Sequence, residues 1–513
     1  MLPLPPPPPT PDLKKHIHNR ISNSLIPWQR SFDFWLRTAR IYAGYKVFQV
    51  RVSFVKDVHL QEAMWERQHQ LAADNIYSLC SDLGGFFLKV AYSFQSSLLL
   101  FSNVSSSIPA TPSFITTPGL GLDDVFDRFD PQPLGSASIA QVHRARLKGH
   151  NTDVVVKVQH PGVEKLMMTD IRNLQAFAYY MQKTDIKFDL YSITKEMEKQ
   201  IGYEFDFTRE ADAMHRIRCF LYANNKKSPV LVPRVLKDIV TRRVLVMEYI
   251  DGVPILNLGE EIAKRGINPG GKIAAAAKQK ILNSLTLAYG QMIFKSGFFH
   301  ADPHPGNILI CKGSEARFLV ALLDYGQVKD LPANLRFGYA ELVLAMADND
   351  PIGATKSFKD LGIKTLSKCD KNEDQEMLKL AQTMFDTGLP PGVTTLQPFS
   401  EGSSLEKFSV EGFPEELFSI LRTVHLLRGL SVGLGLNYSC AKQWRPIAEE
   451  TLHRAGRLKD FYLLLNCIEI FLNCGDSRYR PESSSSKTRI LQEIIPQEMM
   501  NLGVEKDREH GIF

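Results

Sequence analysis

SGFFHADPHPGNILICKGSEARFLVALLDYGQVKD, at residues 296–330, contains the residues around which the rest of the chain is built. Its two apolar runs, ILIC and LVALL, are each typical of a short strand. Asp302 and Asn307 precede the first run, and Asp324 directly follows the second. We therefore expect two carboxylates and one amide to converge at the ends of rigid strands. Oxygen ligands of this kind suit Mg²⁺.

The spacing of these three residues matches the phosphoryl-transfer site of kinases, in which Asp-x4-Asn is followed by Asp-[Phe/Tyr]-Gly. In that arrangement Asp302 orients or deprotonates the acceptor hydroxyl, while Asn307 and Asp324 hold the metal ion. The interval between Asn307 and Asp324 is long for a kinase, and its excess falls in KGSEAR, where a hairpin loop tolerates insertion. The alternative is a surface loop rich in Asp, Asn, Pro and Gly.

HADPHPGN stands where most kinases have a His-Arg-Asp loop, and it resembles the UbiB family, the aarF-domain-containing atypical kinases. The resemblance covers residues 60–90 and 120–460. It implies an α+β fold, namely an atypical protein-kinase-like two-lobe fold with a helical N-terminal extension. It also implies ATP and Mg²⁺ as cofactors, and a role in prenylquinone metabolism in mitochondria or plastids, with prenylquinone lipids or lipid-enzyme complexes as partners.

Composition and resemblance together divide the chain into five segments. The Pro-rich start and helical extension occupy 1–91, and an uncharged stretch rich in Ser, Thr and Pro, predicted to be a disordered linker, occupies 92–122. The small, nucleotide-binding lobe spans 123–252 and the large helical lobe spans 253–475. Residues 476–513 are predicted to be a mostly disordered tail.

The small lobe carries the residues that the resemblance assigns to ATP. Lys157 interrupts the apolar strand VVVKVQ, and a buried lysine requires a partner. The kinase interpretation supplies the ATP phosphates and a helix glutamate, and Glu210 occupies the family's position for that glutamate. A Lys157 at the sheet edge, facing water, is the alternative. The remaining nucleotide candidates are the small-residue loop Gly135, Ser136, Ala137 and Ser138, and the hinge residues Glu248 and Ile250.

Two further elements resemble regulatory signatures of the family. Glu204-Phe-Asp206 is similar to a Glu-x-Asp signature, and Lys89 stands where the family has Lys-x-Gly-Gln. The second match is partial, because Ala91 replaces the Gly and Tyr92 replaces the Gln. A lysine on an amphipathic helix is the alternative interpretation of Lys89.

Composition excludes several classes of protein. The net charge of +5 over 513 residues is small, and no nucleic-acid-binding motif is present. The seven cysteines form no Cys-x-x-Cys pair, which argues against a zinc site or a disulfide framework. No run of apolar residues is long enough for a transmembrane helix. The first 75 residues carry four more basic than acidic side chains, which fits either an ordinary amphipathic helix or peripheral contact with an anionic membrane.

Two other functions compete with a catalytically active kinase or ATPase. The degenerate Lys89 element favours a pseudokinase scaffold that binds nucleotide with little turnover. An ordinary Ser/Thr protein kinase is disfavoured, because the chain lacks a glycine-rich loop and an Ala-Pro-Glu triplet after Asp324. His300 and His304 are expected to be structural, because Mg²⁺ prefers oxygen ligands to imidazole.

Overall fold

A computed structural model describes the parts of the chain that surround the predicted site. The described residues are 13–87, 122–149, 151–185, 189–223, 228–264, 266–312, 318–367, 372–388 and 408–458. Lys89, residues 92–121 of the predicted linker and the predicted tail at 476–513 lie outside them. The chain divides after Arg454, and only residues 455–458 of the second unit are described.

Two long helices open the described chain, as the sequence predicts. They are α1, Leu13–Ser53, and α2, Val58–Leu83. Asp57 caps α2 by accepting hydrogen bonds from the backbone N–H groups of His59 and Leu60, at 3.0 and 3.3 Å. Among the described residues, no helix is both long enough and apolar enough to cross a membrane.

A short helix and an antiparallel sheet form the small lobe. The helix is α3, Leu122–Val125, and the strands are β1, Phe126–Phe129; β2, Gly135–Ser136; β3, Ala140–Leu147; β4, Asp153–Gln159; and β5, Val244–Glu248. The strand order is β1-β3-β4-β5, and β2 pairs with β3. Lys157 lies in the central strand β4, opposite Val142 on one side and Leu245 on the other. Because side chains alternate along a strand, Lys157 points away from the core that contains Val154, Val156 and Val158.

Three helices connect β4 to β5. They are α4, Val163–Thr184; α5, Leu190–Glu204; and α6, Phe207–Ala223. Glu210 lies in the first turn of α6 and is buried. The N-terminal helix α1 packs on α4, where the Arg30 guanidinium donates two hydrogen bonds, of 2.7 and 2.8 Å, to the buried Asp170 carboxylate. The extension is therefore anchored to the small lobe by a bidentate pair and an apolar cluster around Phe34 and Phe86.

The large lobe contains helices and three small sheets. Its elements are β6, Val253–Pro254; α7, Leu258–Lys264; α8, Lys272–Gly290; β7, Phe298–His300; β8, Ile308–Lys312; β9, Phe318–Leu322; β10, Val328–Asp330; α9, Ala333–Asp348; α10, Pro351–Asp360; β11, Lys364–Ser367; α11, Glu373–Phe385; β12, Phe408–Gly412; α12, Glu415–Gly433; and α13, Cys440–Arg454. The sheets are β6-β8-β9, β7-β10 and β11-β12.

The segment before β5 forms isolated bridges at Leu231 and Val235 and not a continuous strand, because Pro233 between them has no N–H to donate to a ladder. The helix α10 and the β11-β12 pair were not anticipated. Asp350 caps α10 by accepting from the backbone N–H of Ile352, and Pro351 occupies the first helical position.

The hairpin formed by β8 and β9 brings the predicted metal ligands together. Its register pairs Ile308 with Leu322, so the residues that flank these two strands are also neighbours. The backbone N–H of Leu323 donates to the carbonyl of Asn307 at 2.8 Å. The side chains of Asn307 and Asp324 therefore leave the backbone at the same end of the hairpin, as the apolar runs predict.

Candidate active site

A buried ion cluster joins the two lobes. The Lys157 Nζ atom lies 2.9 and 3.0 Å from the two carboxylate oxygens of Glu210 and 3.3 Å from Asp324 Oδ2. The side chains of Lys157 and Glu210 are 8% and 3% exposed, whereas that of Asp324 is 44% exposed. The ion pair expected from the sequence is thus present, and Asp324 is the member of the cluster that faces the open side.

One cation shared by two carboxylates determines the electrostatics of this cluster. Burial raises the pKa of Glu210 to about 7, and the neighbouring Asp324 charge adds to the effect of burial, while Lys157 opposes it. Burial lowers the pKa of Lys157, but the two carboxylates outweigh burial and raise it. Burial also raises the pKa of Asp324, but Lys157 and the N–H of Gly326 outweigh burial and lower it. With all three groups ionised, the cluster carries one excess negative charge, which favours a cation nearby.

The backbone of Asp324 adopts a conformation that is rare for residues with a side chain. Its φ is 57°, in the left-handed region. The conformation is held on two sides, because Gly326 N–H donates to Asp324 Oδ1 at 3.2 Å and Tyr325 N–H donates to Glu210 Oε1 at 3.2 Å. A Cβ atom on Gly326 would itself lie 3.2 Å from Asp324 Oδ1. Strain of this kind persists where the surrounding structure enforces it, and it is concentrated at functional sites.

A buried histidine holds the backbone of Asp324 through a hydrogen bond. The Tyr289 hydroxyl donates to His300 Nδ1 at 2.7 Å, and His300 Nε2 donates to the carbonyl oxygen of Asp324 at 2.7 Å. Burial lowers the pKa of His300, which favours the neutral ring that can accept at one nitrogen and donate at the other. His300 is therefore structural, as expected. His304 Nδ1 accepts from Gly306 N–H at 3.1 Å and caps the turn that leads to Asn307.

The donor set at the end of the β8-β9 hairpin fits a hard divalent cation. Asp324 supplies a half-exposed carboxylate beside the excess negative charge, and Asn307 supplies an amide oxygen on the neighbouring backbone. The amide nitrogen of Asn307 faces the carbonyl of Asp302 at 3.5 Å, which leaves the amide oxygen available. Carboxylate and amide oxygens with room for water and phosphate are what Mg²⁺ requires.

The small-residue loop begins next to β3, where Gly135 pairs with Val142 and Val142 pairs with Lys157. Residues Gly135, Ser136, Ala137 and Ser138 are exposed, and the loop is closed by a hydrogen bond of 2.8 Å from Ala137 N–H to Ala140 O. His160, just after β4, donates from Nε2 to the Ala137 carbonyl at 3.0 Å. The loop is thus tied to the strand that carries Lys157.

The predicted adenine hinge begins at Glu248, the last residue of β5. Glu248 exchanges backbone and side-chain hydrogen bonds with Arg234, of 2.8 and 3.1 Å, and Ile250 is half-buried. Gly252 must lack a side chain, because a Cβ there would lie 2.9 Å from Cys311 Sγ. This close approach joins the hinge to strand β8.

Comparison with known protein families identifies this region of the chain. The family model described as ABC1 atypical kinase-like domain matches residues 111–358. The chain contains an ABC1 atypical kinase-like domain. The matched region includes every candidate residue for catalysis, nucleotide and metal from Gly135 to Asp324, whereas Lys89 precedes it. The α+β, kinase-like fold class predicted from the sequence is confirmed.

Curated relatives of this chain are named as kinases. The chain is 32% identical over 302 residues to the Arabidopsis thaliana protein ACTIVITY OF BC1 COMPLEX KINASE 8, chloroplastic, an alignment covering 55% of this chain and 37% of the relative. It is 29% identical over 389 residues to AarF domain-containing kinase 1 of Drosophila melanogaster, which covers 72% and 66%. The chain thus spans between about a third and two thirds of these relatives. The Mycobacterium tuberculosis protein Rv3197, solved with erythromycin, aligns over 76% of this chain and 98% of its own at 17% identity and a TM-score of 0.47.

Two candidate regulatory residues of the ABC1 domain have different surroundings. Asp206 accepts hydrogen bonds from the backbone N–H groups of Thr208 and Arg209, at 3.1 and 3.4 Å, and so caps the start of α6. Glu204 accepts a hydrogen bond of 3.0 Å from Gln327 Nε2. Asp206 thus fixes the helix that carries Glu210, while Glu204 faces the residue that follows the Asp-Tyr-Gly triplet.

Sequence reasoning missed one charged group at the site. Arg422, in α12, lies outside the matched region, and its Nη2 donates to Asp302 Oδ1 at 3.1 Å. The heptapeptide around it, ILRTVHL, is an ordinary helical segment with no motif. Because Arg422 and Asp302 are 120 residues apart, only the folded chain brings them together.

Proposed function

We propose that this protein is an atypical kinase or ATPase that binds Mg-ATP and either hydrolyses it or transfers its terminal phosphoryl group. The cluster of Lys157, Glu210 and Asp324 is the observation that carries the proposal. A buried ion pair gains little stability over apolar packing, so stability alone does not account for it. A phosphate-binding lysine held beside a metal-binding carboxylate does.

Each side chain then has a task in this reaction. Glu210 orients Lys157, which contacts the ATP phosphates, and Asp324 with Asn307 holds Mg²⁺. When bound, Mg²⁺ neutralises phosphate charge. Asp302 orients or deprotonates the acceptor, which is a hydroxyl group or a water molecule. The loop at Gly135–Ser138 covers the phosphates through its backbone amides.

We further propose that the activity supports prenylquinone metabolism at an organelle membrane. The support is the family resemblance and the chloroplast relative, whose name places that protein in the plastid. A plastid is therefore favoured over a mitochondrion for this chain.

The exposed face of α1 supports peripheral contact with the membrane. It presents a stripe of apolar side chains at helical spacing, three to four residues apart except near its centre: Trp28, Phe32, Leu36, Val47 and Val50, which are 78, 70, 58, 70 and 61% exposed. Phe54, which is 81% exposed, directly follows the helix. Exposed Arg40, Arg51 and Lys56 flank the stripe, and none of the three has an ion-pair partner in the described part of the chain. Apolar residues flanked by free basic groups are typical of helices that lie on anionic lipid surfaces.

Turnover of ATP by the purified chain tests the catalytic proposal. We expect Mg²⁺-dependent release of phosphate by the unaltered protein, stimulated by anionic liposomes, and a loss of at least about a hundredfold in kcat for Asp302→Asn, because a positioned base contributes that much. Nucleotide binding without turnover in any condition would support the alternative, a pseudokinase scaffold. An unchanged kcat in Asp302→Asn would contradict the role of this residue.

Liposome sedimentation tests the membrane proposal separately. The double variant Phe32→Ser, Val47→Ser should sediment less with anionic vesicles than the unaltered protein, because it exposes less apolar surface to the lipid. Ile352→Ser in α10 is the matched control, since Ile352 is also 73% exposed but lies in another helix. Equal sedimentation of both variants and the unaltered chain would contradict the proposal.

A further inference from the structure

A chain of polar side chains connects the predicted catalytic carboxylate to α5. Arg422 Nη2 donates to Asp302 Oδ1 at 3.1 Å, and Arg422 Nη1 donates to Gln327 Oε1 at 2.6 Å. Gln327 Nε2 in turn donates to Glu204 Oε1 at 3.0 Å. The four residues come from α12, the loop at 301–307 (the catalytic loop), the segment after the Asp-Tyr-Gly triplet and the end of α5. No two of them are closer than 25 positions in the sequence.

The chemistry of the four groups permits one arrangement of hydrogen bonds. A guanidinium only donates and an ionised carboxylate only accepts. The amide of Gln327 must therefore turn its oxygen to Arg422 and its nitrogen to Glu204. Because the amide orientation is determined by its two charged neighbours, Gln327 links them specifically, in a way that an apolar side chain of equal size does not.

Asp302 has no other cation beside it in the described part of the chain. The loop from Ala301 to Asn307 contains no Lys or Arg, and Oδ2 of Asp302 accepts no hydrogen bond from the described residues. Arg422 thus holds one oxygen of the carboxylate and leaves the other free for an acceptor. The side chain of Asp302 is 19% exposed and that of Arg422 is 44% exposed, so both lie where an incoming group has access.

We propose that Arg422 and Gln327 are positioning residues that fix the carboxylate of Asp302 for phosphoryl transfer and couple its position to Glu204 of α5. This inference rests on the proposed kinase or ATPase activity for its catalytic consequence. A movement of α5 changes the hydrogen bond between Glu204 and Gln327. The Gln327 amide then shifts, and the Arg422 guanidinium, which contacts both Gln327 and Asp302, passes the shift to Asp302. Lysine does not replace Arg422 in this role, since one ammonium lacks the planar fork that serves both neighbours.

Kinetics of three variants test the catalytic consequence. Arg422→Lys should lower kcat about tenfold or more and leave KM for Mg-ATP within about twofold, because a small misplacement of a reacting group slows chemistry without affecting nucleotide binding. Gln327→Met, of similar length, should lower kcat in the same direction. Arg445→Lys is the matched control, since Arg445 also pairs with an acidic side chain from another element of the large lobe, Asp348 at 2.7 Å. An unchanged kcat in Arg422→Lys, with active unaltered protein, would overturn the proposal.

Coupling to Glu204 is tested by a double-mutant cycle on kcat. The double variant Glu204→Gln, Arg422→Lys should lose less activity than the product of the two single losses, because either change already breaks the same chain of hydrogen bonds. Losses that simply multiply would show that Glu204 and Asp302 are independent, and would overturn the coupling.

Hydrogen exchange of the nucleotide-free protein separates this inference from the proposed function. Arg422→Lys and Gln327→Met should accelerate amide exchange in the catalytic loop at 301–307, with exchange in α9 unchanged, because the loop loses its side-chain tether. If the unaltered protein shows no ATP turnover, only the proposed function is refuted. The exchange result still decides whether Arg422 and Gln327 hold the loop at 301–307. Unchanged exchange at 301–307 in both variants would overturn the inference.

Discussion

Two ion pairs of the site, one buried and one exposed, differ in what they do. Lys157 and Glu210 are 8% and 3% exposed, and they join the small-lobe sheet to α6. Arg422 and Asp302 are 44% and 19% exposed, and they lie at the open edge of the catalytic loop. Removing one charge of the buried pair leaves the other charge with neither a partner nor water around it. Removing one charge at the open edge has a smaller cost, because water solvates the charge that remains. The first pair should govern stability and nucleotide binding, and the second the rate of the chemical step.

The largest expected effect is on stability. Lys157→Met leaves Glu210 buried beside the Asp324 charge without a cation, and should lower the free energy of unfolding by about 3–5 kcal/mol. Urea denaturation measures the loss. Lys148→Met is the control, because Lys148 is an exposed lysine in the turn after β3, and its change should stay within about 0.5 kcal/mol. Equal effects of the two variants would remove the distinction between the pairs.

The pH dependence of stability examines the same cluster without removing the lysine. Because burial raises the pKa of Glu210 from 4.5 to about 7, the folded state holds this proton more tightly than the unfolded chain. The stability that Glu210 contributes is therefore complete below pH 4.5 and is lost as the pH rises through about 7. The thermal midpoint of the nucleotide-free protein minus that of Glu210→Gln should fall between about pH 5 and about pH 8. A constant difference would contradict this cause.

Some of the residues in this site could be predicted from the sequence. Asp302, Asn307 and Asp324 could be identified because local spacing and two apolar runs determine how a hairpin presents them. Lys157 and Glu210 required the family resemblance, since 53 residues separate them. Arg422, Gln327 and the Tyr289–His300 support could not be identified, because each depends on which helix face meets the catalytic loop. The left-handed backbone of Asp324 likewise depends on contacts made around it and not on its own propensity.

A smaller energy should appear in the coupling between Lys157 and Glu210. In a double-mutant cycle with Lys157→Met and Glu210→Gln, ATP affinity should show an interaction of about 0.5–3 kcal/mol, because contacting residues are not additive. Calorimetric titration with Mg-ATP measures it. Strict additivity would mean that Glu210 does not act on the nucleotide through Lys157.

The smallest expected change in stability is at the open edge. Arg422→Lys should alter the free energy of unfolding by at most about 1 kcal/mol, because half-exposed ion pairs contribute little. The same urea measurement applies, with Arg445→Lys alongside. A loss as large as that of Lys157→Met would show that Arg422 is a structural residue, and would remove the contrast on which its positioning role depends.

Binding of Mg-ATP at Asp324 is the central claim, and thermal stabilisation tests it most directly. The unaltered protein should gain stability from ATP with Mg²⁺ well beyond that from ATP with EDTA, since a ligand that binds only the folded state raises the melting temperature. Asp324→Asn should lose this Mg²⁺-dependent gain, because a neutral amide is a weaker ligand for a hard dication. Asp330→Asn, in the exposed pair with Arg216, should keep it. Full Mg²⁺-dependent stabilisation of Asp324→Asn would contradict the account.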